Sequence, residues 1–497
     1  MGRQEQIVAE RLKKLKELKA KGINPYPHKY EVKHNSKELH EKYKYLKKGQ
    51  KKSDKAKIAG RIISIRDLGK IVFCVIQDGH GKIQVVLQDK ETPIKSIDFF
   101  KKYADAGDFF GFEGTIWRTD RGELSVLTKK AELLSKSIYP LPEKWHGLQD
   151  KEERYRNRHI DLIMNNEVRS VFDKREKIID VIREILKSQL FHEVETPALQ
   201  PLYGGAEAPP FVTNLKALNI KLYLSISPEI YLKKLLVGGY DRVFTICKNF
   251  RNEGIDKWHN PEFTMMEAYA SYWDYNDVMK LTENILSTLA KKICGSTKFE
   301  YQGIKLNFTP PFKVYTLVEA IKKFAKIDVK KMSNDELKKK ILELKLEPGN
   351  RAEMITAIFE EKVQNLLIQP TFIIDFPIEI SPLTKEHRKN SEMVERFELF
   401  VNGIELANAY SELNDPIEQE KWLLAQIEAR KNSKDFDAHL EALIIDKDFI
   451  DSLMHGMPPA GGIGIGIDRL TVLLTNSPSL RDVILFPFMR PLDKENK

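Results

Sequence analysis

Two strand-like runs, ERFELFV and IELANAY, meet at Asn402–Gly403 in the second half of the chain. An Asn-Gly pair between runs of this kind is the strongest short-range signal for a two-residue β-hairpin. The turn predicts the pairing of the two strands, with Val401 opposite Ile404 and Phe400 opposite Glu405. Because other hairpins are indicated and no regular βαβ alternation is present, the sequence predicts an antiparallel sheet.

A second set of strands lies nearer the N-terminus, where the apolar period changes to two at Lys57. The runs IAGRIISIR, KIVFCVIQD, KIQVVLQ, FFGFEGTIWRT and ELSVLTKKAELL predict five strands, with a helix near Ser96–Ala106. This order is typical of a Greek-key barrel of the oligonucleotide-binding type. We therefore predict an α+β fold with a barrel at 57–145, a sheet-based domain at 146–497 and a helical insertion at about 278–368.

The N-terminal segment, residues 1–56, is predicted to form a basic arm. Residues 1–57 contain 18 Lys and Arg against 7 Asp and Glu. A basic helix is expected from Arg3 to Lys21, and the lysine-rich residues 31–56 are expected to be loosely ordered. Such an arm either attracts a phosphate backbone or is a solvated helix without a partner, and charge alone leaves both alternatives open.

Composition and motifs exclude several classes of protein. No run approaches the roughly 18 apolar residues of a membrane span, and the start of the chain lacks the pattern of a secretory signal. The three cysteines have neither zinc nor disulfide spacing, so we expect a cytoplasmic protein with no membrane partner. No GxxxxGK[ST] loop is present, and KMS at Lys331–Ser333 predicts a helix-capping box with Glu336.

Residues 241–272 are the most informative segment for chemistry and predict a strand, a polar loop and a strand. Alternation places Phe263, Glu267 and Tyr269 on one face, and Arg251 with Glu253 on one face of the incoming strand. An aromatic ring, carboxylates and an arginine on one surface suit a charged, planar ligand. The structural alternative is a cross-strand salt bridge between Arg251 and Glu267.

The Asn402–Gly403 hairpin brings Glu398 and Glu405 onto one face as diagonal neighbours. Two such carboxylates suit a magnesium ion shared with nucleotide phosphates, whereas the alternative is a pair of solvated edge residues. Strict alternation turns Asn408, Tyr410 and Glu412 away from Glu405, unless a bulge or twist near Leu406–Ala407 reorients the strand.

The run GGIGIGIDR at 461–469 places glycines at alternate positions before a predicted helix. This spacing indicates close backbone approach, either to a phosphate at the helix start or to packed neighbours.

These segments resemble the three signature motifs of class II aminoacyl-tRNA synthetases, and the wording is similar to that of the lysine-specific members. The resemblance runs from RLKKLKELKAKGINPYP through PLPEKWHGLQDKEERYRNRHIDLI to GIGIGIDRLTVLLTNSPSLRDVILFPFMRP. It implies a six-stranded antiparallel catalytic sheet and a homodimer formed around residues 171–197. It also implies a ligase that uses ATP and Mg²⁺ to activate L-lysine and transfers it to tRNA(Lys).

The resemblance assigns roles residue by residue. Arg251 and Arg469 are the implied catalytic residues, and Glu398 and Glu405 the implied magnesium ligands. The implied ATP-binding residues are Arg251, Glu253, His259, Asn260, Phe263, Glu398, Glu405, Leu406, Gly466, Asp468 and Arg469. The implied lysine-binding residues are Gly205, Glu229, Glu267, Tyr269, Asn408 and Glu412. The implied anticodon-reading residues are Phe73, Gln84, Glu123 and Arg61.

Three departures from the family pattern lie between the first two motifs: Pro209, the stretch TNLKALN at 213–219, and Ser225. They bear on how the amino-acid pocket closes. Three rival functions are a synthetase-like enzyme that lysylates a protein, a catalytically silent RNA-binding scaffold, and an aspartate or asparagine enzyme. The barrel disfavours the protein-lysylating enzyme, and the intact motif residues disfavour the silent scaffold. The acidic pocket disfavours an aspartate or asparagine enzyme.

Overall fold

The computed structural model describes residues 2–142, 150–206, 208–431 and 446–491, with 429–431 described by their backbone only. The chain forms two compact units, residues 1–149 and 150–497. The predicted domain boundary at 145/146 lies outside the described residues. In the described part of the chain, no helix is long and apolar enough to cross a membrane.

The first unit is a closed five-stranded barrel with three helices. Its elements are α1 (Arg3–Ala20), α2 (Ser36–Lys42), β1 (Lys51–Asp67), β2 (Ile71–Gln77), β3 (Lys82–Gln88), α3 (Ile94–Tyr103), β4 (Phe109–Arg118) and β5 (Leu124–Ser135). The strand order is β1-β2-β3-β5-β4, and only β3 and β5 among these pairs run parallel. The predicted barrel, with a helix between its third and fourth strands, is confirmed.

The lysine-rich N-terminal segment packs on the barrel. Leu39, Tyr43 and Leu46 are buried in the barrel core, and Arg11 is 6% exposed with its guanidinium on backbone carbonyls. The prediction of loose order for residues 31–56 is therefore wrong. The lysines masked a helical spacing of three and four residues between these apolar side chains.

The second unit is built on one large sheet with helices against it. Its elements up to residue 316 are α4 (Lys151–Arg156), α5 (Arg158–Met164), α6 (Asn166–Ser188), β6 (His192–Glu193), β7 (Leu199–Gln200), β8 (Val212–Leu215), β9 (Ile220–Leu224), α7 (Glu229–Val237), β10 (Arg242–Phe250), β11 (Glu262–Ser271), α8 (Tyr275–Cys294), β12 (Lys298–Tyr301), β13 (Ile304–Asn307) and β14 (Lys313–Thr316).

The remaining elements complete the sheet and cover its far end. They are α9 (Leu317–Ala320), a π-helical turn (Ile321–Ala325), α10 (Asn334–Glu343), α11 (Arg351–Lys362), β15 (Thr371–Pro377), β16 (Glu386–His387), β17 (Asn390–Val401), β18 (Ile404–Ser411), α12 (Pro416–Lys431), α13 (Lys447–Met454), β19 (Ala460–Gly466), α14 (Ile467–Leu474) and α15 (Leu480–Val483). Two short 3₁₀ turns lie at Gln364–Leu366 and Ile378–Ile380.

The main sheet has the order β14-β15-β17-β18-β19-β11-β10-β6, with β16 attached to β17. The six strands from β15 to β10 are antiparallel, as the resemblance implies. The edge strands β14 and β6 pair in parallel with their neighbours. The antiparallel sheet inferred from the Asn402–Gly403 hairpin is thus present.

The predicted helical insertion at about 278–368 is wrong for its first part. Val278, Leu281 and Ile285 of α8 are buried in the main core beneath the sheet. β14 is itself a strand of the main sheet. A separate apolar cluster includes α9, α10 and α11, where Ser333 caps α10 in the predicted box with Glu336. An amphipathic pattern shows that a helix is packed, but not against which core.

The pairing of β17 with β18 contains the irregularity that the site requires. Val401 opposes Ile404 and Phe400 opposes Glu405, as predicted. The next pair joins Leu399 to Ala407, so Leu406 is an extra residue. This bulge restores Asn408, Tyr410 and Glu412 to the face that carries Glu405. The predicted bulge near Leu406–Ala407 is confirmed.

Candidate active site

A cavity of 190 Å³ opens over the middle of the main sheet, between the loop after β10 and the start of α14. Its walls come from β11, β18 and β19 together with these two segments. Ten of the residues that the resemblance implies for ATP line it: Arg251, Glu253, His259, Asn260, Phe263, Glu405, Leu406, Gly466, Asp468 and Arg469.

Arg251 is a partly buried cation in this cavity. It lies just beyond β10, which ends at Phe250, so the prediction that Arg251 and Glu253 lie on the strand is wrong. Its guanidinium carbon lies 5.1 Å from the centre of the Phe263 ring, and burial lowers its pKa. The described residues show neither a salt bridge from Arg251 to Glu267 nor a partner for the buried Arg251 Nε. A cation with spare donors is suited to an anionic ligand.

Arg469 forms a second positive point at the cavity, in the first turn of α14. Its Nη1 donates to the Glu405 backbone oxygen at 2.9 Å and to Glu405 Oε2 at 3.2 Å. Its Nη2 lies 3.5 Å from His259 Nε2, and His259 Nδ1 lies 2.8 Å from Asp256 Oδ2. These contacts fix the guanidinium at the mouth of the cavity.

Glu398 is not among the described residues that line this cavity. Its carboxylate lies beside Arg396, a residue that the sequence reasoning missed. Arg396 Nη2 donates to Glu398 Oε1 at 2.5 Å, and its Nε donates to Asn408 Oδ1 at 3.1 Å. Burial raises the pKa of Glu398 to about 7, although Arg396 opposes the shift. Arg396 lies two residues before Glu398 in the same strand, so alternation alone would have placed both on one face.

Asp468 lines the cavity, but its carboxylate contacts neighbouring secondary-structure elements. Arg175 Nη1 lies 2.5 Å from Asp468 Oδ1, and the Thr264 backbone N–H donates to Asp468 Oδ2 at 2.8 Å. Asp468 therefore ties α14 to β11 and to α6, and its oxygens are already engaged.

A second cavity, of 250 Å³, lies further along the same face of the sheet. Gly205 and Tyr410 line it, and Asn408 lines both cavities. Gly205 has a φ of +81°, and a Cβ there would lie 2.9 Å from the Glu229 Cβ. Glycine at this position therefore lets the chain pass close to the Glu229 side chain.

Three buried carboxylates lie beside this second cavity: Glu229, Glu267 and Glu412, which are 3%, 4% and 0% exposed. Burial raises the pKa of Glu267 and of Glu412 to about 8. Such a cluster is costly in a folded protein unless cations or donors compensate it. These residues are three of those implied for the amino acid.

Four neighbouring side chains donate to these carboxylates. The Ser227 hydroxyl donates to Glu267 Oε1 at 2.9 Å, and the Tyr269 hydroxyl donates to Glu267 Oε2 at 3.1 Å. The Tyr410 hydroxyl donates to Glu229 Oε2 at 2.7 Å. The Lys233 ammonium pairs with Glu229 Oε1 at 2.7 Å and Glu412 Oε2 at 2.6 Å. Sequence reasoning missed Ser227, Lys233 and Tyr410.

One carboxylate oxygen in this cluster has no such donor. Glu412 Oε1 is buried and accepts no hydrogen bond from any residue in the described ranges. It points toward Gly462 of β19, where an added Cβ would lie 2.1 Å from it. The glycine at position 462 thus leaves room for the Glu412 carboxylate and the Tyr269 ring, where a side chain would clash with both.

The three departures from the family pattern lie between Gly205 and β10, and they are not among the described residues that line the two cavities. The buried Ser225 hydroxyl lies 3.1 Å from Gln200 Nε2 and 3.1 Å from the Ser227 oxygen. The Pro209 oxygen accepts the Asn252 backbone N–H at 2.8 Å. The stretch 213–219 spans the tip of an exposed β8–β9 hairpin.

On the outer face of the barrel, the structure brings three of the four implied anticodon residues together. Phe73 on β2 pairs with Val86 on β3, and Gln84 lies two positions before Val86 on that strand. The Ser125 hydroxyl donates to Gln84 Oε1 at 2.8 Å, and Glu123 lies two residues before Ser125. Arg61 lies apart from them. Its Nη1 donates to the Gly107 oxygen at 2.9 Å, so its guanidinium is engaged within the barrel.

Comparison with known families matches this architecture. Residues 150–490 match the family model of tRNA synthetases class II (D, K and N), and residues 56–134 match that of the OB-fold nucleic acid binding domain. The antiparallel sheet with its paired cavities is therefore the catalytic domain of a class II tRNA synthetase.

Similar individual proteins identify the family within this class. The chain is 48% identical to the lysine–tRNA ligase of Carboxydothermus hydrogenoformans over 98% of this chain and 99% of that protein. It is 48% identical to that of Methanoculleus marisnigri and 46% identical to that of Thermotoga maritima, over 97% of this chain in both cases. These two alignments cover 94% and 95% of the relatives. The chain belongs to the lysine–tRNA ligase family.

Proposed function

We propose that this chain joins L-lysine to ATP as lysyl-adenylate and then transfers the lysyl group to tRNA(Lys). The observation that carries the choice of lysine is the buried Glu412 Oε1, which has no hydrogen-bond donor in the described structure and lies in a cluster of carboxylates. A lysine ammonium is a cation that satisfies such an oxygen, whereas aspartate or asparagine would leave it unpaired.

The lysine would span the second cavity toward the first. Its side-chain ammonium would lie between Glu412 and Tyr269, and its α-amino group near Gly205, Glu229 and Glu267. Asn408 lines both cavities and would lie beside the reacting carboxylate. This placement holds both ends of the amino acid and gives the effective concentration that a reaction between bound substrates requires.

Arg251 would act where charge develops. In the first step a lysine carboxylate oxygen attacks the α-phosphorus of ATP, and pyrophosphate leaves. Arg251 would bind both the carboxylate and the α-phosphate, so that their mutual repulsion is reduced as the new bond forms. In the second step a terminal ribose hydroxyl of the tRNA attacks the lysyl carbonyl carbon, and AMP leaves.

The remaining residues of the first cavity would hold the nucleotide. Arg469 and His259 would bind the outer phosphates, and the Phe263 ring would lie against adenine. The other proposed contacts, on the cavity wall, are Glu253, Asn260, Leu406, Gly466 and Asp468. We place Asp468 there as a support for the wall, because Arg175 and Thr264 already use its carboxylate.

Glu398 and Glu405 fit a magnesium ion that is bound together with ATP. Their oxygens are hard ligands. Burial and the nearby Glu405 carboxylate raise the pKa of Glu398, so a cation bound between the two carboxylates would stabilise their charged forms. Among the described residues there is no group of three side chains that suits a metal by itself. Phosphate oxygens would therefore complete the coordination. When bound, the ion would withdraw charge from the phosphates.

The barrel would read the tRNA anticodon. We propose the divisions 1–56 for the basic arm, 57–145 for the barrel and 146–497 for the catalytic domain. Phe73 offers a ring for an unstacked base, and Gln84 and Glu123 offer hydrogen-bonding groups beside it. Arg61 would support the barrel at a distance from the bases, since its guanidinium is engaged by Gly107.

Phe73→Ala is expected to weaken tRNA recognition by about 1–3 kcal/mol, the scale of one lost base stack. The KM for tRNA in lysine transfer would show the loss. Lysine-dependent pyrophosphate exchange, which needs no tRNA, would stay unchanged. Phe99→Ala is a matched control, since Phe99 packs with Tyr103 of α3. An unaltered tRNA KM in a folded Phe73 variant would contradict the role of this ring.

Gly462→Ala is expected to raise the lysine KM by the equivalent of about 1–3 kcal/mol, the usual cost of overpacking. The added Cβ would lie 2.1 Å from Glu412 Oε1 and 2.4 Å from the Tyr269 ring. Gly238→Ala is the control, because its Cβ would lie 3.4 Å or more from its neighbours. A Gly462 variant with wild-type lysine KM would place the ammonium elsewhere.

We also propose a cytoplasmic homodimer. A groove of 1270 Å³ runs between α6 and residues 484–489, with Phe172 and Ile179 on its walls. Phe486 and Phe488 beside it are 76% and 53% exposed. A second copy of the chain would cover these rings. Analytical ultracentrifugation at micromolar concentration measures the oligomeric state. A dimer is expected, and a monomer would contradict the proposed homodimer.

The direct test of the full function is lysine transfer by the purified chain. With ATP and Mg²⁺, radiolabelled lysine should become attached to tRNA(Lys) and not to a tRNA with an unrelated anticodon. Formation of lysyl-adenylate without any transfer would leave only the first half of the proposal. Transfer to a protein acceptor in place of tRNA would support the rival lysylating enzyme.

A further inference from the structure

Lys233 is a fully buried cation in the pocket that we propose for a cationic substrate. It lies one turn after Glu229 in α7, and its side chain is 0% exposed. Its ammonium lies between Glu229 Oε1 and Glu412 Oε2, at 2.7 and 2.6 Å. The Tyr410 ring centre is 5.6 Å from its nitrogen. A buried ammonium of this kind is tolerated only when its charge is matched.

The oxygens of the three carboxylates are almost all engaged before any substrate binds. The two oxygens of Glu267 accept hydrogen bonds from the Ser227 and Tyr269 hydroxyls. One oxygen of Glu229 accepts a hydrogen bond from the Tyr410 hydroxyl. Lys233 takes the other oxygen of Glu229 and one oxygen of Glu412. Glu412 Oε1 is left: among the described residues it accepts no hydrogen bond, and the Lys233 ammonium lies on the other oxygen of the same carboxylate, Oε2.

The charges match a lysine substrate only if Lys233 is counted. The two ammonium groups of lysine can compensate two of the three carboxylates, and Lys233 compensates the third. Arg251 remains for the lysine carboxylate. Without Lys233 the filled pocket would hold one negative charge in excess, away from solvent.

We propose that Lys233 is a resident counter-ion that determines specificity: by pairing with Glu229 and Glu412 it leaves one acceptor position for one substrate ammonium. This inference rests on the proposed function. Lys233 acts through the two glutamates and is a positioning residue. A pocket neutralised in this way accepts a side chain with one terminal ammonium and rejects an apolar side chain of the same length.

The same arrangement makes lysine binding depend on pH. The titratable and charged groups that face Glu412 are Glu229, Lys233, Glu267, Tyr269 and Tyr410. Burial raises the pKa of Glu412, and Lys233 opposes that shift. Removal of Lys233 would therefore raise the Glu412 pKa further above about 8, so that ionising Glu412 for the substrate costs more free energy, and this extra cost falls as the pH rises.

The test compares Lys233→Met, Lys233→Gln and Lys233→Arg in lysine-dependent pyrophosphate exchange between about pH 6.5 and 9.5. Lys234→Met is the matched control, because Lys234 follows in the same helix and pairs with Asp448 at the surface. ATP binding without lysine and the thermal transition show whether each variant is folded. Norleucine, which lacks only the terminal ammonium, is the neutral probe.

At pH 7 we expect the lysine KM of the Met and Gln variants to rise about 10–100-fold, the effect of one to two pKa units. The rise should shrink toward pH 9.5, kcat should change little, and the preference for lysine over norleucine should narrow at pH 7. Lys233→Arg keeps the charge, so its lysine KM should keep the pH profile of the wild type, and Lys234→Met should behave as the wild type. In the Met and Gln variants, a change in lysine KM that is equal at every pH, or none, would overturn the proposal.

If the Met and Gln variants do not fold, Lys233→Arg decides. A wild-type pH profile of its lysine KM supports the charge requirement, and a KM that rises toward low pH, or an unfolded protein that makes Lys233 structural, overturns it. A wild-type protein without lysine-dependent exchange would refute the proposed function itself. Failure of the Lys233 variants alone to show the pH effect would refute only the counter-ion.

Discussion

Arg251→Ala is expected to lower the rate of lysine-dependent pyrophosphate exchange by about 10²–10³-fold, the usual loss for a donor that stabilises developing charge. Arg251 is partly buried, and its buried Nε has no partner in the described structure. Glu253, Glu405 and Glu267 are the negative charges that favour its ionised form. Its removal leaves the lysine carboxylate and the α-phosphate without a shared cation. The effect should appear in kcat at saturating lysine and ATP.

Two variants separate this role from stability. Arg251→Lys keeps the charge but loses the planar fork, so we expect it to recover only part of the rate. Arg242→Ala is the matched control on β10, where Arg242 Nη1 donates to the Gln189 oxygen at 2.7 Å. It should lose stability and keep its rate per folded molecule. Equal rates in Arg251→Ala and the wild type would remove Arg251 from the chemistry.

Glu412→Gln is expected to weaken lysine use by about 2–5 kcal/mol, the range for truncating one partner of a buried charge pair. This corresponds to a roughly 30- to 5000-fold higher lysine KM. The amide removes the counter-charge from the substrate ammonium and from Lys233 together. ATP affinity measured without lysine should remain nearly unchanged, because Glu412 does not line the nucleotide cavity.

Glu395→Gln provides the control for this substitution. Glu395 is 3% exposed on the neighbouring strand β17, and the Ser411 hydroxyl donates to it at 2.7 Å. The same chemical change there should lower the melting temperature without altering the lysine KM. If Glu412→Gln behaved in the same way, its contact with Lys233 would be structural and the ammonium site would be wrongly assigned.

Sequence reasoning could predict the features that follow from local rules. The Asn402–Gly403 turn determines the pairing of β17 and β18. That register conflicted with the single site that the resemblance implies, and the conflict predicted the bulge near Leu406–Ala407. The barrel likewise follows from its period of two. Alternation also places Glu267 and Tyr269 together, and the structure joins them by a hydrogen bond of 3.1 Å.

The parts that could not be predicted depend on contacts between distant segments. Lys233 follows Glu229 by one helical turn, which suggests an ordinary surface pair, and only the fold brings Glu412 to the same ammonium. The packing of α8 into the main core was missed because an amphipathic pattern does not show which core the apolar face contacts. Arg251 was placed on a strand because alternation gives no sign of where β10 ends.

In the proposed reaction, the buried carboxylate cluster selects a lysine ammonium for activation. ATP–pyrophosphate exchange by the full chain, measured with each of the twenty amino acids and with ornithine, reports this selection. We predict exchange with lysine, discrimination against ornithine on the order of 10–200-fold for one missing methylene, and strong rejection of leucine. Exchange driven best by aspartate, asparagine or an apolar amino acid, or by none, would show that the cluster does not select lysine.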